Sequence, residues 1–161
     1  AYDTSGIVTN DRGVTVWLKG NRVSRNQIMA IKEESVTDQK NSLTVCLDNI
    51  LRHAGITRNT EYDLAQGKTA IQILEENMTG VQVLDLSGCS LDAVLYYVNQ
   101  DIPVLAILED GEAVLVTGFN EFNVVIMEPS TGKLYKKGMN DATTWFAENG
   151  NHFISYMKIE N

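Results

Sequence analysis

Cysteine, histidine and proline are scarce in this chain, at two of each in 161 residues. Cys46 and Cys89 are too few for a disulfide scaffold, although one Cys46–Cys89 bond stays open, because a sequence gives no Cα separation. With His53 and His152 they form no paired ligand spacing, so no metal and no cofactor is expected. Rare proline and the lack of any low-complexity segment leave an ordinary folded composition. Basic residues are also short: 13 Lys and Arg face 21 Asp and Glu, for a net charge of −8. Phosphate binding needs clustered cations, which argues against nucleic acid and against an anionic membrane surface. No apolar run is long enough to span a bilayer. Residues 102–108, the longest candidate, have a strand's length, so no membrane insertion is expected. No signal peptide is recognisable and the first residue is Ala1, so a processed or shortened chain is expected.

What is present suffices for one domain with a hydrophobic core. Val14, Val16 and Leu18 alternate as a strand does over residues 14–19, and Gly20-Asn21 follows as a turn. A short helix is expected from Ser24 to about Glu33, then a polar stretch to Asn41. Leu43, Cys46, Leu47, Ile50, Leu51 and Ala54 draw one apolar stripe of a helix that Gly55 closes. Shorter helices are expected near residues 61–66 and 70–78, the second opened by a capping box between Thr69 and Gln72. A strand over 81–86 precedes a helix that Ser90 caps and that runs to about Asn99, with Cys89 and Val94 at staple positions. Strands are expected over 104–108, 112–118, 122–127 and 153–159, with a helix over 141–148 between the last two. Helices first and an antiparallel sheet second read as α+β.

Several motifs have plain explanations. Gly67-Lys68-Thr69 ends like a phosphate-binding loop, but Tyr62 stands where that loop needs its first Gly; a turn and a helix cap account for it. Asn77-Met78-Thr79 is a glycosylation sequon by pattern alone. Cys46 is a candidate nucleophile with His53 seven residues on, yet its place in the apolar stripe favours core packing. Cys89 stands at a helix entrance, where a dipole could stabilise a thiolate, but a staple contact is the simpler reading. His152 opens the last strand and receives no role.

Two segments together resemble family thirty-nine of the cysteine peptidases, which trim leader peptides from bacteriocins and have a papain-like fold. The first is Asn41-Ser-Leu-Thr-Val-Cys-Leu47, running on to Ile50-Leu-Arg-His-Ala-Gly-Ile56. The family helix opens Asp-Cys-Gly, carries a second Cys followed by Leu four residues later, and ends in Gly. Cys46-Leu47 matches the second pair, while Ser42 stands for the nucleophilic cysteine, Asn41 for the Asp and Leu43 for the Gly. The second segment is Ile102-Pro-Val-Leu-Ala-Ile107, then Gly111-Glu-Ala-Val-Leu-Val-Thr-Gly118, then Met127-Glu-Pro129. Here Glu112 stands for the catalytic histidine and Glu128 for the residue that orients it. The family's oxyanion glutamine falls at Val36, with Gln39 close by. The resemblance covers about residues 39–161 and divides the chain into an N-terminal extension, 1–38, and a peptidase-like domain, 39–161.

The three replacements remove the chemistry. An imidazole generates the thiolate in such an enzyme. A serine hydroxyl is far less acidic, and a carboxylate of reference pKa about 4.3 is a weak base that holds no proton for the leaving amine. Loss of a whole triad costs on the order of 10⁶ in rate in a well-studied serine protease. The resemblance therefore implies a pseudo-peptidase that cleaves nothing. Inactive relatives attached to toxin exporters bind the exported polypeptide uncut, which makes the partner a polypeptide segment or another protein. A cleft lined by Gln39, Ser42, Glu112 and Glu128 would favour a basic segment. The alternatives are a structural bead of a multidomain surface protein and an active peptidase with an unusual site. A bacterial envelope or extracellular setting is expected.

Overall fold

The computed structural model describes residues 41–159 together with residues 8–9 and 15–16. The expected helix over 24–33, the polar stretch to residue 40, and Val36 and Gln39 lie outside the described residues. Of the strand expected over 14–19, Thr15–Val16 is described. It is β2, paired antiparallel with β1, Val8–Thr9. Three helices follow: α1, Ser42–His53; α2, Glu61–Ala65; and α3, Ala70–Asn77. Strand β3, Val81–Asp85, leads into helix α4, Leu91–Val98. Strands β4, Val104–Ile107; β5, Ala113–Phe119; β6, Asn123–Glu128; and β7, Lys133–Gly138, run as a meander. Helix α5, Met139–Glu148, and strand β8, His152–Lys158, complete the chain.

Strands β3 to β8 form one antiparallel sheet in the order β3-β8-β4-β5-β6-β7. The last strand thus inserts between the first two and locks the helical half to the meander. The architecture is α+β, as the element order predicts. Three details differ from expectation. Strand β7 lies where the sequence reading places no helix or strand. Helix α5 starts at Met139, two residues before Asp141, directly after the edge strand. Both cysteines are free, which closes the open question of a Cys46–Cys89 bond.

Local chemistry explains the helix boundaries. Asn41 caps α1, its Oδ1 accepting from Thr44 N at 2.8 Å. Gly55, at φ +87°, ends the helix in the left-handed region that favours glycine. Thr69 and Gln72 form the expected capping box on α3, with bonds of 3.1 and 2.9 Å. Ser90 caps α4 by accepting from Ala93 N.

The stripe of α1 is the core side of that helix: Cys46, Leu47, Ile50 and Leu51 are fully buried. They pack with Leu105, Leu115, Ile126, Phe146 and Phe153 in one cluster. Every position of β5 is buried, and alternate side chains point to opposite faces, so both faces of the sheet are covered there. Helix α1 packs on α3 and on β4 and β5, while α4 packs on α5 and on β4, β5 and β8. The buried Asp48 carboxylate is satisfied. Asp48 Oδ1 accepts from both Thr60 N, at 2.8 Å, and Thr60 Oγ1, at 2.9 Å, tying the loop before α2 to α1.

Candidate functional site

The N-terminus of α1 abuts the start of β5. Ser42, the first residue of α1, is only 9% exposed, and its Oγ accepts from Ala113 N at 2.8 Å. That N–H belongs to the peptide joining Glu112 to Ala113. The Ser42 hydroxyl therefore lies against the Glu112 backbone, although the two residues are 70 apart in sequence. Glu112 itself closes the β4–β5 hairpin. Its carbonyl accepts from Leu108 N at 2.7 Å, its N–H donates to Asp110 Oδ1 at 2.9 Å, and its side chain is exposed.

Glu128, half-buried, ends β6, with Oε1 accepting from Ser130 N at 2.8 Å. Leu115 is opposite Met127, so one further step puts Val114 opposite Glu128. Glu112 stands just ahead of β5 and precedes Val114 by two residues, about 7 Å along the backbone. Glu128 also faces two other elements. Burial, and then the Glu128 charge, push the Cys46 thiol well above its ordinary range. Burial and Glu128, in the same order, raise the Tyr135 phenol on β7. Cys46 is one helical turn past Ser42 on the same face of α1. The start of α1 thus meets the backbone at the start of β5, and Glu128, two strand positions on across β6, acts on Cys46 and Tyr135. Tyr135 was missed in the sequence because β7 carries no readable strand pattern. The Ala113 N–H was missed because a backbone donor leaves no side-chain signature.

Both histidines are engaged elsewhere. His53 stands eleven residues beyond Ser42, about 16 Å along the helix axis. Its Nε2 lies 3.1 Å from Asp101 O and 3.6 Å from Asp101 Oδ2. His152 and Ala113 are both opposite Ile107, on the two strands that flank β4, so their backbones are about 10 Å apart. The His152 imidazole lies over Gly150: a Cβ there would meet Nε2 at 2.7 Å and Glu109 Oε2 at 3.5 Å. The nearby Asp85 carboxyl is held below its ordinary range, first by hydrogen bonds from Ser87 and only last by His152. Cys89, half-buried, donates its backbone N–H to Leu86 O ahead of α4. Among the described residues, no group of three or more His, Cys, Asp and Glu is arranged to hold a metal ion. No helix among them is long and apolar enough to cross a membrane.

This arrangement has definite chemical limits. The Ser42 oxygen already spends a lone pair on a backbone N–H, which lowers its reactivity toward a carbonyl. Glu112 and Glu128 carry carboxylates, which attract cations when ionised.

No family model matches the chain, and no curated protein matches it. Solved structures do. One, from Bacillus anthracis and described as a C39-like peptidase, superposes with a TM-score of 0.67 at 14% sequence identity. The match covers 83% of this chain and 98% of that one. At that identity the likeness speaks for the fold, and the fold of this chain is that of a C39-like peptidase, α+β with a six-stranded antiparallel sheet.

Proposed function

We propose that this domain is a non-catalytic member of the papain-like peptidases, a pseudo-peptidase that holds a polypeptide segment without cutting it. The observation that carries the reading is the Ser42–Ala113 hydrogen bond. In a working site of this kind the first residue of the helix offers a free nucleophile to an imidazole. Here the group at that position is a hydroxyl whose oxygen joins helix to sheet. The neighbouring residues are Glu112 and Glu128, and both imidazoles of the chain have other surroundings. A carboxylate pair that neither activates a nucleophile nor protonates a leaving group still serves binding. It favours a segment bearing Lys or Arg, because opposite charges within a few ångström favour each other.

The test is a peptide array carrying basic, neutral and acidic segments. The wild type is expected to retain basic segments, and a Glu112→Ala, Glu128→Ala double variant to lose them. Equal retention by both proteins would remove the carboxylates from the account. A second reading, an active peptidase with an unusual site, draws on the structural neighbour being described as a peptidase. It requires cleavage that depends on Ser42.

A further inference from the structure

Cations are distributed unevenly along the fold. Residues 41–159 contain seven: Arg52, Arg58, Lys68, Lys133, Lys136, Lys137 and Lys158. No Lys or Arg occurs between Lys68 and Lys133, and then three fall on the six residues of β7. Arg58 and Lys68 are spent on Asp63 and Glu76. Among the described residues no carboxylate lies within ion-pair distance of Lys133 or Lys136. Lys137 lies over the Trp145 ring, 4.8 Å from its centroid, and so is held in place.

Among the described residues β7 is the last strand of the sheet, and Lys133, Tyr135 and Lys137 alternate onto one of its sides, with Lys136 on the other. Tyr135, 37% exposed, sits between the two lysines. Glu128 is opposite Lys133 at one end of the strand, and Asp141 stands near Gly138 at the other. The result is a short positive strip with an aromatic centre, about 13 Å from Lys133 to Lys137, on a chain of net charge −8.

We propose that this strip docks an acidic polypeptide segment. Edge lysines commonly keep strands from pairing with their own kind. The same charges attract a segment of opposite sign and help fix its register. The length of the strip selects the partner. Outside β7, residues 41–159 carry 15 Asp and Glu against 4 Lys and Arg, so a nucleic acid or an anionic bilayer that reaches past the strip meets net negative charge there, whereas a short acidic segment touches only β7. The strip shares Glu128, opposite Lys133, with the site described above, and its test involves neither Ser42 nor Glu112.

The experiment uses a fluorescein-labelled octapeptide of alternating Glu and Ser, with anisotropy followed against protein concentration at low and at physiological salt. The wild type is expected to bind it, more weakly as salt rises. Lys133→Glu with Lys137→Glu, the two lysines on the strip's side of the strand, is expected to weaken binding by about tenfold or more. Lys158→Glu, which carries a charge reversal to β8, is expected to leave it within about twofold. Circular dichroism checks that each variant is folded. Absence of wild-type binding overturns the proposal. So does an equal loss in Lys158→Glu, which would mean attraction by net charge alone. Tighter binding of oligothymidylate or of phosphatidylserine vesicles than of the peptide overturns it as well, in favour of a general polyanion surface.

Discussion

Replacing Ser42 by Ala deletes one oxygen and leaves the Ala113 N–H pointing at a methyl group. Ala113 is 1% exposed and Ser42 is 9% exposed, so water cannot readily take the vacated place. A buried donor left unsatisfied costs about 1–3 kcal/mol. The better helix preference of Ala returns a few tenths of a kcal/mol. A net loss of about 1–2.5 kcal/mol follows, and at about 2–4 °C per kcal/mol for a chain of this size Tm falls by roughly 2–10 °C. Urea unfolding is the assay: the midpoint should move down with the m-value unchanged. Hydrogen exchange localises the effect, with the Ala113 amide losing protection beyond the global change. Ser42→Cys, which offers a weaker acceptor, should fall between the two. A loss below about 0.5 kcal/mol, with Ala113 protection unchanged, would refute the assignment of Ser42 as a tie between helix and sheet.

Three further outcomes follow from the same geometry. Iodoacetamide should modify Cys89 in the folded protein and Cys46 only after unfolding, because burial first and Glu128 second disfavour the Cys46 thiolate; mass spectrometry of peptides reads this. Glu128→Gln should lower the Tyr135 ionisation midpoint in an ultraviolet absorbance titration, since it removes the second of the two causes that raise it. The sign is set by linkage. A phenol raised by folding contributes stability that is fully present below its unfolded pKa of about 10 and lost as pH rises through the folded value, so the variant should lose less stability in that alkaline window. Thr69→Ala removes the hydroxyl of the α3 capping box and should cost about 0.5–2 kcal/mol in denaturant unfolding.

Most of the fold is legible where a single face is buried. The stripe from Leu43 to Ala54 predicts α1 because Cys46, Leu47, Ile50 and Leu51 face one cluster. Thr69, Gln72 and Ser90 announce helix starts because capping is a local interaction of three residues. Strand β7 fails the same reading for a physical reason. Among the described residues it ends the sheet, Lys133, Tyr135 and Lys136 are exposed, and no alternation of apolar side chains survives. The start of α5 is misread by two residues because Gly138 opens it without a side-chain cap. Within the site, the family resemblance singles out Ser42, Glu112 and Glu128. The bond that ties Ser42 to the start of β5 is beyond sequence, since the Ala113 N–H donates to the Ser42 hydroxyl oxygen across 71 residues. Tyr135 is invisible for the same reason as its strand.

The central claim is that a C39-like fold here holds polypeptide without hydrolysing it, and its most direct test is cleavage. A library of leader peptides is incubated with the protein and read by mass spectrometry, in parallel with a thiol trap and a serine trap. The account predicts intact peptides and no adduct on Ser42. Reproducible cleavage that disappears in Ser42→Ala would contradict it.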